Sequence, residues 1–405
     1  MVGDSPASVA FSSIESALED LRRGRMIILV DDEDRENEGD FVMAAEHVTA
    51  EALTVMTREG SGIITVPMPA ERLRALDLDL MVRHNTESMR TAFTVTVDAA
   101  QGTTTGSSAQ DRATTIRALA DPAACPDDFL RPGHVNPLMA RNGGVLKRPG
   151  HTEAAVDLMR LAGLSPVGVI SEIMGDTGEM LRLPELAALA SRLDLKLVTI
   201  AELIKHRRHT EKLVRRIATT RMPTRYGAFT AHAYLSDVDD NEYLALTLGD
   251  LVGGPVLCRI HSSCVTGDLL GSLRCDCGDQ LHLALERIAA EGRGVLLYIE
   301  QEGRGIGLVN KMRAYALQDD GVDTVDANLQ LGFKADARDY GIGAQILVDL
   351  GLGQLRLMTN NPAKREGIDG FGLEIVERVP IPVDPNPENA RYMETKRRRM
   401  GHEIG

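Results

Sequence analysis

Residues 26–40 read "MIILVDDEDRENEGD", five apolar residues followed directly by a decapeptide with seven carboxylates. A short apolar run bounded by polar residues is typical of a buried strand. Just before it, "SSIESALEDLRRG" at 12–24 places Ile14, Leu18 and Leu21 at helical spacing, with Ser12 and Glu15 at the spacing of a capping box. We predict a helix ending near Gly24, then a buried strand that delivers the chain into an acidic loop.

Strand and helix patterns alternate outward from this stretch. Strand candidates are "GIITV", "FTVTV", "VGVI" and "LVTI" in the first half and "YLALTLG", "PVLCRI" and "GVLLYIE" in the second. Amphipathic stretches such as "HTEAAVDLMRLAG" and "GDQLHLALERIAAEG" lie between them. The alternation predicts a fold class of α/β to α+β.

The length of 405 residues favours two or three domains. Composition shifts at 201–225, where eight Lys or Arg accompany two acids, and this run is either a solvated helix with a linker or an anion-binding surface. We place the boundary here. The predicted organisation is an N-terminal domain at 1–205, a basic linker at 206–221 and a C-terminal domain at 222–405.

Charge and cysteine content limit the class of protein. The formal net charge of −14 argues against general nucleic-acid binding, which depends on Lys and Arg, and favours small-molecule partners. Five cysteines are too few for a disulfide framework. With neither an apolar leader nor a stretch long enough to span a membrane, the sequence predicts a cytoplasmic protein with no membrane partner.

Three of the five cysteines lie in "CVTGDLLGSLRCDC", at 264, 275 and 277. The spacing fits either a three-ligand Zn²⁺ site, which leaves one position for water, or incidental buried cysteines. Arg259, His261 and Arg274 lie nearby, and "EQEGRGIG" adds a flexible glycine turn with Glu302 and Arg304. Together these features indicate a site where metal-activated water attacks a phosphorylated substrate.

The acidic decapeptide at 31–40 also has two interpretations. A run of charge is usually a solvated loop. Carboxylates that follow a buried strand can also bind Mg²⁺, which prefers oxygen ligands, with a distant His completing the site.

Longer motifs in the second half carry a resemblance. "HSSCVTGDLLGSLRCDCGDQL", "EQEGRGIGLVNKMRAYALQD", "ANLQLGFKADARDYGIGAQIL" and "LMTNNPAK" closely resemble GTP cyclohydrolase II, from about Met222 to the C-terminus. The resemblance implies a catalytic Zn²⁺ held by Cys264, Cys275 and Cys277. It also implies Arg338 as nucleophile or phosphate clamp, Asp336 as its base, and Tyr315 as a further site residue. The implied GTP contacts are Arg259, Gln280, Glu302, Gly303, Arg304, Thr324, Thr359 and Lys364, with a divalent ion on the nucleotide.

The first half resembles 3,4-dihydroxy-2-butanone 4-phosphate synthase through "DDEDRENEGD", "RPGHVNPL" and "GGVLKRPGHTEAAVDL". The resemblance implies Glu36 and His151 as ligands of Mg²⁺ or Mn²⁺. It places Arg35, Asp40, Arg148, Thr152 and Glu172 around ribulose 5-phosphate. Glu172 is also an implied catalytic residue, and His134 is either catalytic or a structural turn histidine.

Five positions depart from the two family patterns: Ser263 beside the first zinc cysteine, and Thr65, Arg90, Ser107 and Asn136 in the first half. The whole chain is expected to be a homodimeric enzyme that makes both precursors of riboflavin. One alternative is an active cyclohydrolase with an impaired or structural synthase domain. A second is a zinc-stabilised nucleotide-binding regulator without turnover.

Overall fold

A computed structural model describes residues 10–238, 241–333, 340–361, 368 and 371–400. The chain forms two compact units, Met1–Thr210 and Glu211–Gly405. Each is built on a mixed sheet with helices, as the alternation in the sequence predicts.

The described part of the first unit contains a seven-stranded sheet. Its strands are β1 Ile27–Val30, β2 Gly39–Ala44, β3 Thr65–Pro69, β4 Val97–Ala99, β5 Phe129–Ala140, β6 Gly168–Glu172 and β7 Leu197–Thr199. Its helices are α1 Ile14–Arg22, α2 Ala50–Val55, α3 Ala70–Ala75, α4 Ala109–Ala120, α5 His151–Ala162, α6 Leu183–Leu193 and α7 Ile200–Thr210. The strand order is β4-β5-β3-β6-β2-β1-β7.

The apolar run of β1 is explained by burial on both faces of this sheet. Ile27 and Leu29 belong to one core cluster, and Ile28 and Val30 belong to another. Successive side chains of a strand point to opposite faces, so a strand covered on both sides is apolar throughout. Strand β1 pairs antiparallel with β2. The acidic residues between them therefore form the connection between two buried strands.

The described residues of the second unit also form a seven-stranded sheet with helices. Its strands are β8 Val214–Thr224, β9 Gly227–Ser236, β10 Glu242–Leu248, β11 Val256–Ser262, β12 Gly294–Ile299, β13 Gln354–Met358 and β14 Glu374–Val379. Its helices are α8 Cys277–Glu291, α9 Gly307–Asp319, α10 Thr324–Gln330, α11 Gly341–Asp349 and α12 Ala390–Met400. The order is β14-β13-β11-β12-β10-β9-β8, with β11, β12, β13 and β14 running parallel.

The expected basic linker at 206–221 contains regular structure, and the division between the two units, after Thr210, falls within it. Helix α7 continues to Thr210, and β8 begins at Val214 and pairs antiparallel with β9. The basic side chains of β8 are exposed, and Arg216 among them pairs with Asp349. A solvated helix and an edge strand have the polar composition of a linker, which explains the difference. None of the helices in the described ranges is both long and apolar enough to cross a membrane.

Candidate active sites

The acidic connection between β1 and β2 meets the N-terminus of α5. Asp31, Glu36 and His151 each offer a ligand atom, and these atoms lie within 4.8 Å of one another. Two carboxylates and an imidazole are a donor set that suits a divalent cation. Glu36 and His151 are predicted ligands, whereas sequence reasoning missed Asp31, the buried first residue of the acidic decapeptide.

Electrostatics hold this cluster together. His151 Nδ1 lies 3.8 Å from Glu36 Oε2, and its Nε2 lies 3.9 Å from Asp40 Oδ1. Burial opposes the charge of His151, but the surrounding carboxylates, Asp40 foremost, outweigh it and raise the pKa of His151 to about 9. Burial raises the pKa of Asp40, which is 3% exposed, to about 7. The cluster is an acidic pocket that a cation would stabilise.

Other predicted residues surround the cluster. Arg35 Nη1 lies 2.8 Å from Asp31 and also contacts Glu36. Glu172 stands opposite Asp40 in the register of β6 and β2, and its Oε2 accepts the Ile63 N–H at 2.9 Å. Gly62 permits this approach, since a Cβ there would lie 2.7 Å from Glu172 Oε2.

Arg148 and Thr152 line an adjoining cavity with the 82–93 segment. Arg148 Nη1 donates to Glu153 at 2.6 Å, and Nη2 donates to the carbonyl of Met89 at 3.2 Å. Arg90 lines the same cavity and has a φ of 54°, in the left-handed region. Thr152 lies in the first turn of α5, where free backbone N–H groups favour an anion.

His134 lies apart from this cluster. It is on β5, which β3 and β6 separate from β2. Its Nδ1 contacts Asp98 Oδ2 at 2.7 Å, and its side chain is 50% exposed. The structure therefore gives His134 a carboxylate partner, and its ring is not part of the group formed by Asp31, Glu36 and His151.

In the second unit, the three cysteines of the 264–277 window converge. Sγ of Cys264 and Sγ of Cys275 are 3.7 Å apart, and with Cys277 they form a set within 4.8 Å. Gly267 packs directly against them, because a Cβ there would lie 2.9 Å from Cys275 Sγ. Three buried or half-buried sulfurs in this arrangement fit a thiolate-bound metal, and the three cysteines are clustered, not scattered.

A buried lysine, which sequence reasoning missed, supports the sulfur cluster. Lys311 Nζ donates to Cys264 Sγ at 2.9 Å and to Glu302 Oε1 at 2.6 Å. Burial opposes its charge, but these two contacts outweigh that effect and raise the pKa of Lys311 above its usual value. The pKa of the Cys264 thiol is lowered, first by its sulfur neighbours and then by Lys311.

A cavity opens beside the cysteines. Its lining includes most of the predicted site residues: Arg259, Cys264, Cys275, Cys277, Gln280, Gly303, Arg304, Tyr315, Thr324 and Thr359. Arg304 Nη1 is buried without a hydrogen-bond partner among the described residues, as expected of a group that binds an anion. Burial raises the pKa of Tyr315 to about 12, so its hydroxyl remains a donor near neutral pH.

Four predicted residues do not line the described cavity. Asp336, Arg338 and Lys364 lie outside the described residues. Glu302 is described, but it binds Lys311 and accepts the Val265 N–H at 2.6 Å instead of lining the cavity with its neighbours.

Comparisons with known proteins agree with this two-site arrangement. The family model for 3,4-dihydroxy-2-butanone 4-phosphate synthase matches residues 15–206, and that for GTP cyclohydrolase II matches 215–380. The riboflavin biosynthesis protein RibBA of Salinispora arenicola is 57% identical over 97% of this chain and 94% of its own length. RibBA of Nocardia farcinica is 58% identical over 97% of this chain and 96% of its own.

The chain belongs to the RibBA family of riboflavin biosynthesis proteins. It is a bifunctional enzyme with a synthase domain followed by a GTP cyclohydrolase II domain. A crystal structure of RibBX from A. baumannii, a two-domain 3,4-dihydroxy-2-butanone 4-phosphate synthase, matches with a TM-score of 0.70 at 37% identity, covering 91% of this chain and 99% of that one.

Two further residues of the cavity lie outside the ranges that match the two family models. Tyr392 and Lys396, on helix α12, line the cavity beside the cysteines, although the cyclohydrolase match ends at residue 380. Both lie more than 110 positions after the last cysteine, so sequence spacing gave no signal of their approach. Ser263, the departure beside the first cysteine, also lines this cavity and accepts the Gln301 N–H at 3.1 Å.

Proposed function

We propose that the C-terminal site opens the imidazole ring of GTP with water, releases C8 as formate, and hydrolyses the bond between the α- and β-phosphates to release pyrophosphate. The product is 2,5-diamino-6-ribosylamino-pyrimidinone 5′-phosphate. The observation that carries this proposal is the cavity in which the three cysteine sulfurs meet Arg259 and Arg304. A cluster of thiolates beside buried cations suits a metal and a polyphosphate together.

We propose that the N-terminal site converts ribulose 5-phosphate to 3,4-dihydroxy-2-butanone 4-phosphate and formate. Asp40 and Glu172 stand opposite each other on neighbouring strands and would exchange protons with the substrate through an enediol. Arg148 and Thr152 at the start of α5 would bind the phosphate, and Arg35 would contact the sugar. The close matches to RibBA proteins give no support to the alternative with an impaired synthase.

The donor sets determine which metal each site suits. We propose Zn²⁺ at Cys264, Cys275 and Cys277, since zinc prefers sulfur ligands, and Mg²⁺ or Mn²⁺ at Glu36 and His151, with Asp31 as an added ligand. A second divalent ion would accompany GTP. Bound zinc would supply Lewis acidity that lowers the pKa of water toward neutrality, and the N-terminal ion would polarise the oxygens of the sugar.

Three cyclohydrolase roles are proposals from the family resemblance alone. Arg338 would act on the α-phosphorus as nucleophile or as a phosphate clamp, with Asp336 as its base. Lys364 would bind phosphate. Thr324, Thr359, Gln280 and Gly303 would complete the nucleotide contacts, and Tyr315 would donate from its protonated hydroxyl. Glu302 would contact the guanine with the same carboxylate that binds Lys311.

A homodimer would account for His134. Its ring is exposed, oriented by Asp98, and separate from the metal-ligand cluster within the chain. We propose that His134 transfers a proton in the reaction and that a second copy brings it to the site. Exposed apolar side chains near it, such as Leu130 and Ile63, give the synthase domain a surface for that copy.

Separate assays test the two reactions. Purified protein is supplied with GTP plus Zn²⁺ and Mg²⁺, or with ribulose 5-phosphate plus Mg²⁺, and formate and both organic products are measured. Formate from both substrates is expected. Formate from GTP but none from ribulose 5-phosphate would establish the alternative with one active domain. Binding of GTP without release of formate would establish a nucleotide-binding regulator.

A further inference from the structure

We propose that the C-terminal helix α12 is part of the cyclohydrolase site, with Lys396 as a positioning residue for the nucleotide contacts and Tyr392 as part of the cavity wall. This inference rests on the proposed GTP reaction. It extends the site to a helix outside the 215–380 range that matches the cyclohydrolase family model.

Lys396 is buried and forms one specific ion pair. Its Nζ lies 2.6 Å from Oδ1 of Asp276, the residue between the two cysteines of "CDC". Asp276 is only 1% exposed. Removing one partner of a buried pair leaves the other charge without compensation, so Asp276 depends on the cation that α12 supplies.

Hydrogen bonds connect Asp276 to two residues that are proposed to bind GTP. Its Oδ2 accepts from Gln280 Nε2 at 2.5 Å, and Gln280 Oε1 accepts from Arg259 Nη2 at 2.5 Å. The amide of Gln280 is thereby fixed with its NH₂ toward the carboxylate and its oxygen toward the guanidinium. Without Lys396, Asp276 would compete for Arg259 or rotate Gln280, and both groups would leave the arrangement in which they face the cavity.

Tyr392 forms a second link from α12 to the cavity. The guanidinium carbon of Arg304 lies 5.9 Å from the centroid of its ring, and Lys396 Nζ lies 4.6 Å from it. Both distances are within the range of cation–π attraction. Nη1 of Arg304 is buried and has no hydrogen-bond partner in the described part of the chain. The ring therefore holds a cation that is available to phosphate.

Helix α12 is anchored at both ends. Arg391 Nη2 donates to the carbonyl of Gly321 at 2.5 Å, Arg399 Nη1 lies 2.9 Å from Asp326, and Met393 is buried. These contacts attach α12 to the segment that carries Thr324, another proposed GTP contact. The helix thus contacts three sides of the cavity: the cysteine segment at 264–277, the turn at Arg304 and the start of α10.

The experiment compares Lys396→Met with Arg397→Met, a matched loss of one cation at an exposed neighbouring position that pairs with Glu394. Lys396→Met should raise KM for GTP about tenfold or more, because a buried pair is broken beside the binding groups. Zinc content and the synthase rate should match those of Arg397→Met. Lys396→Arg should recover most of the loss, and adding Asp276→Asn to Lys396→Met should cost less than the two single changes combined.

Several outcomes would overturn the proposal. KM and kcat of Lys396→Met within about twofold of Arg397→Met would remove any role in the site. Loss of zinc or of cooperative unfolding in Lys396→Met would show a structural role only. If that variant does not accumulate as folded protein, Tyr392→Leu decides, since an unchanged KM for GTP there would also contradict the proposal.

A binding measurement separates this proposal from the proposed reaction. Titration calorimetry with α,β-methylene-GTP, from which pyrophosphate cannot be released, on protein freed of metal by a chelator measures binding without turnover. If the wild-type protein releases no formate from GTP, the proposed function fails, yet weaker analogue binding by Lys396→Met than by Arg397→Met would still support the role of α12. Equal binding by the two variants would contradict it.

Discussion

Lys311 places its ammonium 2.9 Å from the sulfur of Cys264, inside the second unit. With the proposed Zn²⁺ bound, the three thiolates and the ion would carry a net charge of −1, and a buried cation in contact with one of the sulfurs would offset it. Lys311→Met should therefore weaken zinc affinity by about tenfold, the usual scale for losing a partner of a metal ligand. Competition with a chelator measures this affinity. Arg313→Met, an exposed change on the same helix, should have no effect, and equal affinities in the two variants would contradict the role.

Cys275→Ser should abolish metal binding and GTP turnover together. A neutral hydroxyl replaces a thiolate at a site with three protein ligands, so the remaining two cysteines cannot hold the ion well. Metal analysis and formate release from GTP measure the two effects. The synthase rate serves as the internal control and should not change. Full zinc content with full GTP hydrolysis would contradict a catalytic zinc at these cysteines.

The unfolding free energy of the synthase domain should depend on pH through Asp157. Burial raises the pKa of Asp157 from 3.8 to about 6, although Arg207 and the Val145 N–H favour its charged form. An acid with a raised pKa in the folded state contributes stability that is complete below its unfolded pKa and lost as pH rises through the folded one. Between about pH 4 and pH 6, the wild-type protein should lose stability, by up to roughly 3 kcal/mol, that Asp157→Asn does not lose.

Denaturant unfolding of both proteins at several pH values measures this difference. Other groups titrate in the same window, and comparing the two proteins at each pH cancels their contribution. An identical pH dependence in wild type and Asp157→Asn would show that Asp157 has its ordinary pKa.

Local sequence patterns predicted much of this molecule. The strand at 27–30 could be recognised because both of its faces are buried, which makes every residue apolar. The cysteine cluster could be recognised because its ligands lie within fourteen residues. At 206–221, the expected linker, an exposed helix end and an edge strand have a composition as polar as that of a linker.

Long-range contacts explain what could not be predicted. Lys311 reaches Cys264 from 47 positions away, and Lys396 reaches Asp276 from 120. Each lies on a helix among other charged residues, and nothing in its local pattern separates a buried cation from a solvated one. Asp31 was missed for a related reason, since it is one of seven acids in its loop and only the fold shows that it faces His151.

Complementation between two inactive variants tests the proposed dimer. His134→Ala and Glu172→Gln should each lose synthase activity. If His134 acts in the site of a second copy, mixed dimers contain one site with both residues intact. Random pairing then restores about one quarter of the wild-type rate, because half of the dimers are mixed and half of their sites are complete. Unmixed variants are the controls, and no recovery on mixing would place both residues in the same chain's site or exclude His134.

The last prediction concerns Arg90, which the backbone holds at a φ of 54°. The N–H groups of Met89 and Thr91 donate to the carboxylate of Glu87 at 2.8 Å, and the Arg90 N–H donates to the Glu87 carbonyl at 3.1 Å. These contacts enforce a conformation that costs a residue with a Cβ about 1 kcal/mol. The long cationic side chain also enters the cavity that Arg148 and Thr152 line.

We expect Arg90→Gly to raise the synthase rate, since it relieves the strained position and clears the cavity, while GTP turnover stays constant. Two matched variants separate the causes. Arg90→Ala keeps a Cβ at positive φ but lacks the long cation, so it should behave like wild type if strain is the cause and like Gly if the side chain in the cavity is the cause. Arg90→Lys keeps both the strain and a cation and should behave like wild type. A higher KM for ribulose 5-phosphate in both the Gly and the Ala variants, with no gain in kcat, would show instead that Arg90 binds the phosphate.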